Sequence, residues 1–218
     1  EQLAISTQMM AKLTFFSVQL LQGVTGSGKT EVYLTLMQSV LAAGRQVIYL
    51  VPEIGLTPQL LQRMSSRLGE SIALSHSGQT ELQRYQSWDR FQRGVAQVMI
   101  GTRSALFSQC PSLGLIIIDE EHDASYRQQD GVRYHARDVA VKRAQMLDIP
   151  IVMGSATPSI ESLHNLNKAH YALYRLDQRV NKSRPPDIEL LDCSQLPLTA
   201  GCSPQLLQSM SKHLSQQG

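Results

Sequence analysis

Short apolar runs alternate with longer stretches of helical period along most of the chain. Residues 16–22, 46–51, 72–75, 97–100, 114–118 and 149–153 read as strands. Residues 29–42, 58–67, 80–93, 136–146 and 159–167 read as the helices between them. Several strands are continuously apolar rather than alternating, the pattern of a parallel sheet covered on both faces. Right-handed crossovers then predict a three-layer α/β sandwich, with ligands at the carboxyl ends of the strands. Beyond about residue 170 the pattern changes. Residues 171–176 and 188–191 read as strands around a polar NKSRPPD, and residues 203–214 as a last helix.

Two strand ends carry chemistry. The first runs into Gly23-Val24-Thr25-Gly26-Ser27-Gly28-Lys29-Thr30, which fits G-x-x-x-x-G-K-[ST]. Glycines let backbone N–H groups converge on phosphate oxygens, and the helix from Lys29 adds its positive end. Lys29 reaches the β- and γ-phosphates, and the Thr30 hydroxyl ligates Mg2+. The predicted fold is therefore a P-loop NTPase binding ATP through Gly23, Thr25, Gly26, Ser27, Gly28, Lys29 and Thr30. The second strand end is Asp119-Glu120-Glu121-His122. Asp119 is placed on the same Mg2+, and Glu120 as the base that polarises the attacking water. His122 either links this site to a later motif or is an ordinary loop histidine.

The carboxylates are followed by Tyr126, Arg127, Gln128, Gln129, Arg133, Tyr134, His135 and Arg137, with Gly131 permitting a turn. Interleaved aromatic and basic side chains suit single-stranded nucleic acid: rings stack on bases and arginines meet phosphates. Arg103, after the fourth strand, is another candidate for sequence-independent phosphate contact. Ser155 and Thr157 can hydrogen-bond the acidic cluster in one nucleotide state and release it in another. His76-Ser77-Gly78 reads as a turn without assigned chemistry, Trp88 as core packing, and His164 and His170 as surface residues.

Composition adds little. A net charge of +2 neither demands nor excludes nucleic acid. The three cysteines, Cys110, Cys193 and Cys202, form no CxxC pair, so neither a disulfide framework nor a cysteine zinc site is expected. A reducing cytoplasm is the simplest setting, and no apolar run approaches a membrane span.

The wording GVTGSGKTEVYL, VPEIGLTPQ, HSG, GTRSALF, DEEHDASYRQQDGVRYHARD and GSATPS resembles the superfamily 2 helicases, in particular the bacterial primosomal protein N′ family of replication-restart DNA helicases. The resemblance runs from Gln2 to about Leu176. It implies a RecA-like first helicase lobe (1–176), with 177–218 an extension or connector toward a missing second lobe. It implies a 3′-to-5′ DNA helicase acting at stalled forks, and Gln2 as an adenine-reading glutamine. It implies an aromatic-rich loop at 126–137 that senses single-stranded DNA. Implied partners are single-stranded and forked DNA, single-strand-binding protein and primosome proteins. The expected state is a cytoplasmic bacterial monomer. The family's zinc lies in a cysteine-rich insertion this chain lacks. The second lobe would supply a transition-state arginine, so this piece alone is expected to hydrolyse ATP poorly. Alternatives are an RNA helicase or restriction-type translocase on the same fold, or a nucleotide-binding or partner-docking module without turnover.

Overall fold

A computed structural model describes residues 1–69, 71–180, 188 and 190–216. The chain divides into two compact units, Glu1–Lys182 and Ser183–Gly218. In the first unit the order is α1 (Gln2–Met10), β1 (Val18–Gly23), α2 (Lys29–Ala42), β2 (Gln46–Leu50), α3 (Pro58–Leu68), β3 (Ile72–Ser75), α4 (Glu81–Gln92), β4 (Val98–Gly101), β5 (Leu113–Ile118), β6 (Arg127–Gln128), β7 (Tyr134–His135), α5 (Ala136–Met146), β8 (Ile151–Ser155), α6 (Ile160–Asn167) and β9 (Tyr171–Leu176). The second unit contains α7 (Pro204–Gln216).

Seven strands form one sheet in the order β3-β4-β2-β5-β8-β1-β9, and every pairing is parallel. The apolar run predicts this. All of β5 is buried, with Ile116 and Ile118 in one core and Leu115 and Ile117 in the other. Alternate side chains point to opposite faces, so a strand covered on both sides must be apolar throughout. Val32, Tyr33, Leu36 and Met37 of α2 and Met64 of α3 cover one face; Phe91 of α4 and Ala136, Ala140 and Ala144 of α5 cover the other. Helix starts follow the capping chemistry. Thr57 accepts from Leu60 N–H ahead of Pro58, Thr80 and Gln83 form a reciprocal capping box, and Ser159 accepts from Ser162 N–H.

The differences from expectation have physical causes. The strands at 72–75 and 171–176 fall as expected, and the ends of the others move by at most two residues, because buried apolar pattern marks a strand's middle better than its ends. Helix α1 was not anticipated: QLAISTQMM has a weak apolar stripe, and only Ile5, Ser6 and Met9 are buried. Of the strand expected at 188–191, the described residues Ile188, Leu190 and Leu191 are not in strand. Trp88 is half-exposed, not core; its ring lies 6.0 Å from that of Tyr85, which is exposed.

Gly154 of β8 lies directly against the ring of Tyr33, and an added Cβ would fall inside van der Waals contact with its hydroxyl. Gly154→Ala is expected to cost about 1–3 kcal/mol through overpacking, measured by urea unfolding of the chain.

Candidate active site

The parallel register places the ends of β1, β5 and β8 side by side, and the site is built there. After Gly23 the chain turns through left-handed Gly26 (φ 78°) and Gly28 (φ 89°), the second capping α2. A Cβ at Gly23 would meet Ser27 Oγ at 2.6 Å, so the tight loop needs glycine there. The Lys29 ammonium donates to the Gly23 carbonyl at 3.0 Å and pairs with Glu120 Oε1 at 3.2 Å. Thr25 is exposed and Thr30 half-buried at the helix start. Ser27 Oγ is buried without a hydrogen-bond partner among the described residues. Such an orphan beside a helix N-terminus fits an anion with acceptor oxygens. Gln2 Nε2 donates to the Ser27 carbonyl at 2.8 Å and lies against Gly28, which puts its amide at the edge of the loop.

Asp119 ends β5. Its Oδ1 accepts from Tyr33 Oη at 2.9 Å and from Glu120 N–H at 3.1 Å, and its Oδ2 from Tyr49 Oη at 3.3 Å. Burial pushes the Asp119 carboxyl above its ordinary value, and the neighbouring Glu120 adds to the shift. Burial, then the Asp119 charge, holds both phenols well above theirs, so they remain donors. Glu120 adopts φ 45°, an uncommon conformation outside glycine. That turn aims Glu120 at Lys29 on one side, with Oε2 accepting from Ala156 N–H at 3.5 Å and lying 3.7 Å from His122 Nδ1. His122 Nδ1 also lies 2.7 Å from Ser155 Oγ, which accepts from Thr157 N–H at 3.0 Å. His122 therefore touches both Glu120 and Ser155, the contacts that a link between them would need.

The third carboxylate faces the other way. Glu121 is fully buried and accepts from Ser159 N–H (2.7 Å), Ser159 Oγ (3.0 Å), Ser162 Oγ (2.9 Å) and Arg137 Nη1 (3.3 Å).

The aromatic and basic stretch is a two-stranded antiparallel hairpin, β6–β7, turning at Gly131 (φ 66°). Arg127, Gln128, Gln129, Asp130, Arg133, Tyr134 and His135 line a cavity of about 730 Å³. Arg103 donates to the carbonyls of Ser125 (3.1 Å) and Arg127 (2.8 Å), so it braces the hairpin's root. Tyr134 packs edge-on against Phe107, centroids 5.4 Å apart. A second cavity, about 220 Å³, lies among Glu53, His76, Arg84, Arg103 and Tyr134.

Two placements correct the sequence reading. Tyr126 offers no face to a base: its ring is fully buried, and its hydroxyl donates to the Asp119 carbonyl at 2.8 Å. Seven residues after Asp119, the chain has folded back beneath the sheet end, where an aromatic ring has apolar surface to cover. Arg137 is 4% exposed and turned inward onto Glu121, because it sits on the first, sheet-facing turn of α5. Tyr33, Tyr49, Glu121 and Phe107 were not singled out in the sequence. A tyrosine in an apolar run has no signal of its own; only Tyr33, one turn after Lys29, lies where a helix would aim it at the loop.

The chain matches the DEAD/DEAH box helicase family over residues 3–166. It is 49% identical over 199 residues to the replication restart protein PriA of Haemophilus influenzae, covering 91% of this chain and 27% of that protein. With PriA of Bacillus subtilis it shares 47% over 175 residues, 80% of this chain and 22% of that one. The chain thus spans about a quarter of the length of these relatives. The Pyrococcus furiosus Hef helicase domain matches with TM-score 0.57 at 20% identity, over 81% of this chain and 38% of that one. RecG bound to a three-way DNA junction matches with TM-score 0.59 at 21% identity, over 86% of this chain and 24% of that one. These structures share its fold, an α/β P-loop NTPase domain of RecA-like architecture. The chain belongs to the DEAD/DEAH box helicase family.

Proposed function

We propose that this chain is the ATP-binding lobe of a 3′-to-5′ DNA helicase that restarts stalled replication forks. The observation that carries the ATP assignment is the position of the Lys29 ammonium, between the loop carbonyl of Gly23 (3.0 Å) and the Glu120 carboxylate (3.2 Å). An ammonium held there at the mouth of the glycine turn lies where it can meet phosphate oxygens. Gly23, Thr25, Gly26, Ser27, Gly28 and Thr30 offer the backbone and hydroxyl groups of the cradle, with Gln2 at its rim for the base. Thr30 and Asp119 would hold Mg2+, which neutralises phosphate charge when bound. No cluster of three His, Cys, Asp or Glu among the described residues forms a metal cage. Glu120, turned out by its backbone and hydrogen-bonded through Ala156 N–H, is the group that accepts a proton from water. Asp119 stays oriented by its two tyrosines.

The nucleic-acid contact falls to the hairpin, through Arg127, Gln128 and Tyr134, with Arg103 at its root. His122, Ser155 and Thr157 connect the carboxylates to the end of β8, the route for coupling. Forked DNA, single-strand-binding protein and primosome proteins are the partners this reading implies. It also implies a cytoplasmic monomer, with zinc held outside this chain. No helix among the described residues is long and apolar enough to cross a membrane. Residues 1–176 act as the lobe and 177–218 as a connector.

Lys29→Ala is expected to weaken binding of fluorescent ADP by about tenfold or more, that is about 1.4 kcal/mol or more, and to leave oligo-dT affinity nearly unchanged. Retained nucleotide affinity would sink the phosphate assignment. Tyr134→Ala should weaken oligo-dT binding by about 1–3 kcal/mol in fluorescence anisotropy, and oligo-rU serves as the comparison that separates a DNA from an RNA reader. The pH response of Asp119 follows from its raised pKa. Its charge is disfavoured in the folded chain, so wild type loses stability as pH rises from the ordinary carboxyl value through the raised one. Asp119→Asn should therefore be at least as stable as wild type at pH 7, with the advantage fading toward pH ~3.8, read by thermal unfolding at both pH values.

A further inference from the structure

The function proposed above uses Asp119 and Glu120 and leaves Glu121 without a task. A fully buried carboxylate is costly unless its charge is met by a cation and by hydrogen bonds. Glu121 has both. Its partners come from two other segments: Arg137 from α5, which starts directly after the hairpin, and Ser159 and Ser162 from the start of α6, which follows Ser155 and Thr157. Arg137 Nη1 also bonds Ser159 Oγ at 2.6 Å and lies 3.7 Å from Glu161, while its Nε bonds Asp138 at 3.1 Å. On the backbone, Glu121 N–H donates to the Gly154 carbonyl of β8 at 2.9 Å.

We propose that Glu121 and Arg137 are positioning residues: a buried brace that holds the Glu120 turn and passes the position of the hairpin to it. This rests on the reading of the 119–122 turn as the hydrolytic site and of the hairpin as the DNA contact. Glu120 sits at φ 45°, a backbone state that persists only where the surroundings over-determine it. The Glu121 side chain and N–H supply that constraint one residue along. The hairpin is anchored to it at both ends. Its outgoing strand runs straight into α5 and Arg137, and the residue before its incoming strand, Tyr126, holds the Asp119 carbonyl. A displacement of the hairpin therefore reaches the carboxylate turn from two sides.

A buried ion pair can serve packing alone, and the test separates the two roles. Glu121→Gln by itself removes the one buried counter-charge of Arg137, leaving it only the exposed Asp138 and Glu161, and should lower the melting temperature. Adding Arg137→Gln removes the orphan charge and should recover most of the loss. A brace that only stabilises would then be dispensable. The proposal expects otherwise for the double variant. With the chain in excess over ATP, so that even its slow single turnover is read, hydrolysis should remain slower than wild type by about tenfold or more, with fluorescent ADP affinity within about threefold. Oligo-dT should slow amide exchange at 120–123 and 156–159 in wild type, and only within the hairpin in the double variant. A refolded double variant with wild-type hydrolysis and wild-type spread of protection would overturn the brace while leaving the ATP site standing. Failure of wild type itself to bind nucleotide would instead overturn the function, and the brace with it. Failure to bind oligo-dT would remove the relay half, and the hydrolysis rate would still decide the positioning half.

Discussion

The turn after Ile118 is where the demands on this protein meet. β5 is apolar throughout because helices cover both of its faces, and such a strand can carry charge only where it leaves the sheet. Three carboxylates leave there in succession, and successive side chains cannot share one environment. Asp119 stays half-buried against Tyr33 and Tyr49, Glu120 swings out at φ 45° toward Lys29, and Glu121 goes fully inward to Arg137. Each carboxylate is tolerated for a different reason: donors for the first, partial exposure and a cation for the second, a complete hydrogen-bond shell for the third.

Packing makes that turn a junction. β8 lies between β5 and β1, so its end carries Ser155 to His122 and its backbone takes the Glu121 N–H. Gly154 is the residue that lets Tyr33 cross from α2 to Asp119 without collision. On the outer side, Tyr126 fills the space beneath the strand end, and Arg103 ties the hairpin root to the end of β4. The groups proposed to meet ATP and those proposed to meet DNA are thus joined by short, mostly buried contacts rather than by a flexible loop. A rigid connection of this kind can carry a displacement of one end to the other.

Much of this was legible in the chain. Continuous apolar runs required a two-sided parallel sheet. Gly23 through Thr30 predicted a tight glycine turn into a helix, and Gly26 and Gly28 take the left-handed conformations that such a turn needs. The hairpin was legible only as composition. Tyr126, Tyr134, Arg127 and Arg137 look alike in sequence, yet Arg127 is exposed, Tyr134 is half-buried against Phe107, and the other two are buried. The pairing of β6 with β7 sets one alternation and the start of α5 another, and neither register can be counted from residue types.

The sequence alone determined the layers and the glycine-rich turn into α2 proposed to hold phosphate, since these follow from local periodicity and from spacing within a single turn. The tertiary structure decided which carboxylate faces which partner, that Tyr126 and Arg137 serve the interior, and that Tyr33 and Tyr49 orient Asp119. Those contacts join residues far apart in the chain, and their energies depend on burial and distance that exist only once the sheet has closed.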